Sequence, residues 1–293
     1  MKKILITGAG SFIGTSLEHH LKRFPDRYTV HTQDMLGDSW KSADFSSYDT
    51  VFHVAGIAHA DSGKADQKTI DLYYQVNTHL AVATAEKAKA EGVGQFIFMS
   101  SAIVYGDSAP IGKEKHITKD TSPSPAGFYG DSKLQAEKGL LPMQDKNFRV
   151  VILRPPMIYG EGCKGNYPIL SSLARKLPMF PKVENQRSML YVGNLAEFVR
   201  LMIDNREQGI FHPQNGSYSN TSQIVREIAA ARGKKLPLLR GFTWMLKLLS
   251  HVTPLVNKAF GSMTYDMSLS DYPEDYRKYS LEESIARTEA HND

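Results

Sequence analysis

The residues of this chain best suited to proton transfer are a tyrosine and a lysine near its middle. Tyr129 and Lys133 are four residues apart in a segment that predicts a helix, so both side chains lie on one helix face. An ammonium group beside a phenol favours the phenolate and lowers the pKa of the phenol towards the range of a general base. A serine pair, Ser100 and Ser101, lies between these residues and a glycine-rich N-terminus. The tyrosine–lysine spacing is common by chance, but its combination with the serines and glycines is specific.

The N-terminus has the glycine spacing of a dinucleotide-binding turn. Residues 4–6 predict a buried strand and residues 12–24 a helix, with three glycines in and after the connection. The first two would let the backbone turn tightly and approach a pyrophosphate at the helix N-terminus, and the third would let the helix pack on the sheet. The expected cofactor contacts are Gly8, Gly10, Ser11, Phe12, Ile13 and Gly14.

An aspartate after the second predicted strand suits the other end of a dinucleotide. Asp34 follows the strand near residues 28–32 and is placed to accept hydrogen bonds from an adenosine ribose. Met35 and Leu36 come next, with no arginine to hold a 2′-phosphate. The sequence therefore predicts NAD rather than NADP.

Alternating strand and helix patterns indicate an α/β fold with a parallel sheet. The predicted strands are 4–6, 28–32, 51–55, 96–99 and 149–153, and the predicted helices are 12–24, 73–91, one following Tyr129, and 191–205. After residue 160 glycine, proline and lysine become frequent and the helices shorten. We therefore predict a nucleotide-binding domain over 1–160, with 191–212 packing back on it, and a mainly substrate-binding region over 161–293.

Composition and charge exclude several classes of protein. Apolar residues make up 41% of the 293, enough for a sizeable core. The net charge of +4 comes from interspersed residues and does not indicate nucleic-acid binding, although it suits an anionic small molecule. The single cysteine, Cys163, and a start without a signal-peptide pattern predict a cytoplasmic protein. No cluster of ligands indicates a metal site.

The segment 236–260 is amphipathic, with aromatic and aliphatic residues interrupted by Pro254. It is too polar to span a bilayer. A helix covering the substrate cleft is the favoured interpretation, and peripheral contact with a membrane is the alternative.

The motifs together resemble one family. They occur in order as Thr7-Gly8 to Gly14, His53-Val54-Ala55-Gly56, Asn77, Ser100-Ser101 to Gly106, Tyr129-x-x-x-Lys133, Leu153 to Gly160 and Arg187 to Val192. This set resembles the extended short-chain dehydrogenase/reductase superfamily, in its NAD-dependent epimerase/dehydratase branch acting on nucleotide sugars. The resemblance covers residues 1 to about 205. It implies a Rossmann-type doubly wound sheet with a smaller α+β C-terminal substrate-binding region.

The resemblance implies a role for each matching residue. Ser101 would hydrogen-bond the reacting sugar oxygen, Tyr129 would be the acid and base, and Lys133 would lower the pKa of Tyr129 and bind the nicotinamide ribose. Further cofactor contacts would come from Val54, Ala55, Gly56, Asn77, Ser100 and Pro156. Asn166 and Arg187 would bind the diphosphate of the substrate, since an arginine fork suits phosphate. His53 is interpreted as a structural residue at a strand end.

Two positions depart from the family pattern. Ser11 stands where glycine is common, which leaves the geometry of the cofactor turn less defined. Val192-Gly193-Asn194 replaces the frequent Val-Asp-Asp.

The residues after the serine pair bear on the reaction. Dehydratases of this branch have Thr-Asp-Glu where this chain has Ser101-Ala102-Ile103, which lacks the acid and base for loss of water. We therefore expect redox chemistry at C4 of a UDP-hexose or UDP-N-acetylhexosamine, with epimerisation narrowly preferred. Reduction of a UDP-4-keto-6-deoxy sugar with NAD(P)H, for surface-polysaccharide synthesis, is the first alternative. A catalytically silent NAD(H)-binding regulatory or scaffold protein is the second, and a homodimer is expected only by analogy.

Overall fold

The chain folds into two compact units. The computed structural model describes residues 1–58, 65–241, 246 and 259–290. The first unit comprises residues 1–106, 122–155 and 195–213, and the second comprises residues 107–121, 156–194 and 214–293. Neither unit is one continuous stretch of sequence, because the chain passes between them several times.

A six-stranded parallel sheet forms the centre of the first unit. Its strands are β1 (Lys2–Thr7), β2 (Tyr28–Gln33), β3 (Thr50–His53), β4 (Gln95–Met99), β6 (Arg149–Leu153) and β10 (Gly209–Phe211). They lie in the order β10-β6-β4-β3-β1-β2, and every pairing is parallel. The strand order reverses between β1 and β3, which is where such sheets bind ligands beyond the carboxyl ends of the strands. The predicted doubly wound parallel sheet is confirmed.

Helices connect and cover these strands. They are α1 (Phe12–Leu21), α2 (Ser39–Ser42), α3 (Gln67–Tyr74), α4 (Leu80–Ala90), α5 (Phe128–Leu140) and most of α7 (Val192–Asp204). A π-helical segment, Gln75–His79, joins α3 to α4, so that helical structure runs on from residue 67 to residue 90. A π-helical insertion of this kind is rare and is often found at a functional site.

Close packing fixes the middle of the sheet. Phe96 and Phe98 of β4 are fully buried in one core cluster with Ala81, Ala85 and Ala88 of α4. The three alanines lie on one face of the helix, where small side chains let its backbone approach the sheet. The carboxyl end of β4, and with it the serine pair, is therefore held rigidly.

The second unit combines short strand pairs with helices. β5 (His116–Ile117) pairs with β12 (Thr264–Tyr265), β7 (Met157–Tyr159) with β9 (Met189–Tyr191), and β8 (Phe180–Pro181) with β11 (Leu238–Leu239). Its described helices are α6 (Asn166–Lys176), α8 (Thr221–Ala231) and α9 (Leu281–Glu289). Residues 107–121 lie in this unit rather than with the rest of 1–160, because β5 pairs with β12 and Ala109 bridges to Ser262.

Most of the amphipathic segment 236–260 lies outside the residues that the structure describes, since only 236–241, 246, 259 and 260 are described. Within the described ranges, no helix combines the length and the apolar character needed to cross a bilayer.

Candidate functional site

The glycine-rich turn after β1 leaves room for a ligand against its backbone. Gly8 has a φ of +97°, and a Cβ there would lie 2.8 Å from the backbone nitrogen of Ala55. Gly10 has a φ of +71°, but a Cβ there would meet no atom within 4 Å. A side chain at Gly8 is thus excluded by the loop after β3, whereas Gly10 faces open space. Residues of this turn therefore fit a group that approaches the backbone closely.

The helix after this turn starts with a capped and tightly packed first turn. Ser11 is the N-cap of α1, and its Oγ accepts a hydrogen bond from the backbone nitrogen of Gly14 at 3.2 Å. A Cβ on Gly14 would lie 3.2 Å from side-chain atoms of both Ile6 and Val54. Phe12 and Ile13 begin the helix. The helix N-terminus, which favours anions, is thereby fixed beside the carboxyl ends of β1 and β3.

Asp34 directly follows β2 at the same edge of the sheet. The residue is exposed, and its Oδ1 accepts a hydrogen bond from the backbone nitrogen of Leu36 at 2.9 Å. The position agrees with the predicted ribose contact, which itself stays a prediction.

Lys133 lies deep in the first unit beneath the carboxyl end of β4. Its side chain is 6% exposed, and Nζ lies 4.8 Å from the centroid of the Phe98 ring. A Cβ on Gly56 would come within 3.0 Å of the same nitrogen, so the lysine lies against the loop after β3. Burial lowers the pKa of Lys133 to about 8, while the negative charge of Glu137 acts in the opposite direction.

Tyr129 and Ser101 form the predicted pair. Ser101 is close enough to Tyr129 to lower the pKa of its phenol, and both residues are half-buried. Ser101 is also the N-cap of the 3₁₀ turn Ala102–Tyr105, where its Oγ accepts from the backbone nitrogen of Ile103 at 3.3 Å. The hydroxyls that would contact a sugar oxygen are therefore brought together.

The protonation of Tyr129 differs from the prediction. Loss of solvent raises the pKa of Tyr129 to about 12, and the hydrogen bond with Ser101 only partly opposes this effect. The expectation that Lys133 lowers the pKa of Tyr129 is therefore wrong for this structure. Burial of the phenol favours its neutral form, and the burial of a side chain cannot be read from the spacing of two residues.

Asn77 holds the loop after β3 against α5. It is fully buried in the π-helical segment, where its Oδ1 accepts from the backbone nitrogen of Ile57 at 2.8 Å. Its Nδ2 donates to the carbonyl oxygen of Ile57 at 3.0 Å and to Ser132 Oγ at 3.1 Å. The structure thus gives Asn77 a positioning role beside Gly56, and its direct contact with a cofactor stays a prediction.

A buried charged network under the serine pair was missed by the sequence analysis. Ser100 Oγ donates to a carboxylate oxygen of Glu137, and Arg154 Nη2 donates to the same carboxylate at 2.5 Å. Arg154 Nη1 also donates to the hydroxyl of Tyr105 at 2.7 Å, and that hydroxyl lies 2.8 Å from Nε2 of His212. One signal was available: Glu137 is four residues after Lys133, on the same helix face. The side chain of Ser100 is used in this network, and its predicted cofactor contact is untested.

His53 ends β3 as a structural residue. Its Nδ1 lies 2.8 Å from Thr7 Oγ1, and burial lowers its pKa to about 3. Within the described residues its Nε2 has no hydrogen-bond partner. A neutral imidazole therefore ties the end of β1 to the end of β3, directly before Gly8 and Val54.

The second unit holds the remaining predicted residues. Pro156 precedes β7, and Asn166 is the first residue of α6. Arg187 is 7% exposed and donates from Nη1 to the carbonyl oxygen of Ala259 at 2.9 Å. Burial lowers the pKa of Arg187 to about 10. Substrate binding by Asn166 and Arg187 stays a prediction, as does the cofactor contact of Pro156. Cys163 packs against the core of this unit, and His59 lies outside the described residues.

The second unit also contains a cavity that no motif indicated. Its volume is about 560 Å³, and it is lined by Ile111, Gly112, Lys182, Val183, Glu184, Arg240 and Gly241. This size is in the range of small-molecule pockets. Among the described residues, no group of histidine, cysteine, aspartate or glutamate side chains has the arrangement of a metal site.

Comparisons with known proteins agree with this geometry. Residues 4–212 match the model of the NAD dependent epimerase/dehydratase family. The chain is 32% identical to a UDP-glucose 4-epimerase of Vibrio cholerae, over 91% of this chain and 88% of that protein. It is also 32% identical to the N-acetyl-alpha-D-glucosaminyl-diphospho-ditrans,octacis-undecaprenol 4-epimerase of Escherichia coli O157:H7, over 80% and 73%.

Solved structures share the fold at lower identity. The UDP-glucuronic acid 4-epimerase of Bacillus cereus in complex with NAD aligns with a TM-score of 0.74 at 18% identity, covering 99% of this chain and 98% of that one. RMD from Pseudomonas aeruginosa, complexed with NADPH, aligns with a TM-score of 0.77 at 18% identity, covering 99% of both chains.

Proposed function

The chain belongs to the NAD dependent epimerase/dehydratase family, and within it we propose that it is an NAD-dependent 4-epimerase of a sugar diphosphate. The observation that carries the proposal is that Ser101, just after β4, lies beside Tyr129, while Lys133, one helical turn further along α5, donates to the carbonyl oxygen of Met99 at the end of the same strand. The two relatives that are 32% identical to this chain are both named 4-epimerases, which supports C4 as the reacting carbon.

The glycine-rich turn and Asp34 would hold the cofactor. Gly8, Gly10 and the N-terminus of α1 suit the pyrophosphate, and the exposed carboxylate of Asp34 suits ribose hydroxyls. A carboxylate there disfavours a 2′-phosphate, so we prefer NAD to NADP. Bound NAD would accept a hydride from C4 of the sugar and return it to the opposite face.

Tyr129 would exchange the proton that accompanies this redox cycle. With a pKa of about 12, the phenol is neutral at rest and is well suited to donate its proton to a 4-keto oxygen. In the oxidation half-reaction the phenol first releases its proton to solvent, and the phenolate then takes the proton of the C4 hydroxyl as the hydride leaves C4. The phenol formed in this way returns that proton to the 4-keto oxygen in the reduction. Ser101 would hold the same sugar oxygen, and its hydrogen bond stabilises the phenolate while the proton is away. Lys133 adds positive charge on the same helix face.

Arg187 and Asn166 would bind the diphosphate of the substrate. A guanidinium fork matches phosphate oxygens, and Asn166 is at the N-terminus of an 11-residue helix. One relative is named for UDP-glucose and the other for N-acetylglucosamine on undecaprenyl diphosphate, and both substrates contain a sugar diphosphate. We prefer a UDP-hexose or UDP-N-acetylhexosamine.

Cofactor release and substrate conversion test the proposal. The purified protein is denatured and the supernatant examined for NAD, and the native protein is incubated with UDP-glucose, UDP-galactose and their N-acetyl forms. Stoichiometric NAD with interconversion of a C4 pair supports the epimerase. Consumption of NADH or NADPH only with a 4-keto sugar nucleotide would make it a reductase. Bound NAD without turnover of any of these sugars would support the alternative of a catalytically silent NAD-binding protein.

We also propose that the protein is cytoplasmic, which its single cysteine suits, and that it forms a homodimer, which the family resemblance implies. Mass photometry of the purified protein at several concentrations tests the pairing of two copies. A single species with the mass of one chain would contradict it.

A further inference from the structure

Two stretches of the second unit carry cations without any carboxylate. Residues 162–183 contain four lysines and arginines, and residues 228–265 contain six, yet neither stretch has an aspartate or glutamate. The whole chain has 31 acidic residues against 35 lysines and arginines, so the rest of the chain, with 25 lysines and arginines, is net acidic and the excess of cations is confined to these two stretches. Glu184, directly after the first stretch, lines one cavity with Lys182 and Arg240, but the cations outnumber the acids in this part of the unit. Like charges repel one another, and an anionic partner relieves that repulsion.

The structure brings these two stretches together. β8 pairs with β11, and the backbone nitrogen of Lys182 donates to the carbonyl oxygen of Leu239 at 2.7 Å. Lys234 Nζ donates to three carbonyl oxygens at the end of α6, those of Ala174, Arg175 and Leu177, at 2.6–3.0 Å. The cations of both stretches therefore belong to one continuous part of the second unit.

Most of these cations are exposed rather than paired. Arg175, Lys176, Lys235 and Arg240 are exposed, and in the part of the chain that the structure describes none of them forms an ion pair. Arg232 differs, because it pairs with the buried carboxylate of Glu289 at 2.7 Å.

An apolar side chain lies among the exposed cations. Met179, between α6 and β8, is 46% exposed and follows Pro178, which is also exposed. We call Arg175, Lys176, Met179, Lys235 and Arg240 the basic face.

We propose that the basic face binds the surface of a lipid bilayer that carries anionic headgroups. Exposed lysines and arginines around an apolar side chain are the composition by which peripheral proteins bind such surfaces, where Met179 would enter the interface. The four cations are exposed and stand on three segments, Arg175 and Lys176 at the end of α6, Lys235 after α8 and Arg240 after β11, which suits a planar array of headgroups better than a single small anion. None of the five residues is aromatic, so the stacking platform of single-stranded nucleic acid is missing from this face.

Sedimentation with vesicles tests the proposal without any need for turnover. Membrane binding can therefore be disproved while the proposed epimerase activity stands, and the epimerase activity can be disproved while membrane binding stands. The full chain is mixed with vesicles of phosphatidylcholine alone or of phosphatidylcholine with phosphatidylglycerol. We expect binding only to the anionic vesicles, weakened by salt because screening shortens the range of the attraction. The variant R175Q/K176Q/K235Q should bind about 100-fold more weakly, given the contribution of each cation near an anionic surface.

A matched variant distinguishes binding through the basic face from a general effect of the net charge of the protein. K68Q/K138Q/K146Q removes three exposed lysines of the first unit and should sediment like the unchanged protein. Met179→Ser should weaken binding without changing its salt dependence. Equal binding by both triple variants, or no binding of the unchanged protein to anionic vesicles, would overturn the proposal. Preferential binding of a single-stranded RNA over the vesicles would overturn it as well.

Discussion

Lys133 Nζ donates a hydrogen bond to the backbone carbonyl oxygen of Met99 at 3.0 Å. Met99 is the last residue of β4, and Ser100 and Ser101 follow it, so this bond ties α5 to the start of the proposed catalytic segment. One helical turn further on, Glu137 accepts from Ser100 and from Arg154. The end of β4 thus holds the ammonium of Lys133 close to Ser100 and Ser101, which follow in the chain.

The charge of Glu137 should set the alkaline limit of activity. Two titratable groups face Lys133, namely Glu137 on its own helix and His53 at the end of β3. His53 is neutral because burial lowers its pKa to about 3, so Glu137 carries the charge that acts on Lys133. If turnover needs the ammonium, the rate should fall above the pKa of Lys133, about 8. Glu137 raises that pKa, so Glu137→Gln should move the alkaline limb of the pH–rate profile to lower pH.

A double variant separates this effect from loss of stability. Glu137→Gln alone leaves Arg154 buried without its counter-charge and should cost about 3–5 kcal/mol of unfolding free energy, measured in urea. E137Q/R154Q removes both charges and should recover part of that stability. The shift of the alkaline limb should remain in the double variant, since Lys133 still lacks the carboxylate. If the double variant recovers both its stability and the pH–rate profile of the unchanged enzyme, Glu137 has only a structural role.

Removing the phenol oxygen of Tyr129 should abolish most turnover while preserving the fold. Tyr129→Phe deletes the proton-transfer group and should lower kcat roughly 10³-fold, with bound NAD and the thermal midpoint little changed. Tyr74→Phe is the control, because it deletes another hydroxyl nearby, one that donates to Asp131 at 2.6 Å. Near-normal turnover by the Tyr129 variant would remove this residue from the mechanism.

The sheet could be predicted from the sequence because its strands are short apolar runs. The predicted run 149–153 coincides with β6, and 96–99 lies within β4. Local pattern did not indicate the segment 107–121, whose two-residue strand pairs with a strand almost 150 residues later. Such a pairing leaves no periodicity in a short window.

The candidate site was predictable in its residue types but not in its electrostatics. Tyr129 and Lys133 were found from their spacing, because a helix face is a local feature, and Ser101 was found from the family resemblance. The raised pKa of Tyr129 depends on how much protein surrounds the phenol, which only the folded chain determines. The pairing of Glu137 with Arg154 likewise joins a helix to a strand end.

Alanine substitutions at Gly8 and Gly10 should have different effects on stability and on NAD binding. Both have positive φ, so either alanine variant should lose about 1–2 kcal/mol from backbone strain. Gly8→Ala should lose more, because its Cβ would lie 2.8 Å from the backbone of Ala55. Gly10→Ala should fold but bind NAD more weakly, since its Cβ enters the space proposed for the pyrophosphate. Urea unfolding and calorimetric titration with NAD measure the two effects, and unchanged NAD affinity in Gly10→Ala would contradict the assigned site.

Arg187 should act on substrate affinity through the geometry of its guanidinium. Arg187→Ala should raise KM for the sugar diphosphate about 10- to 100-fold with a smaller effect on kcat, because a charged hydrogen bond to the diphosphate is lost. Arg187→Lys keeps the charge without the fork and should fall between the alanine variant and the unchanged enzyme. Because Arg187 is 7% exposed and bonded to the carbonyl of Ala259, each variant is first checked by thermal unfolding. A folded alanine variant with an unchanged KM would show that Arg187 supports the second unit and does not bind phosphate.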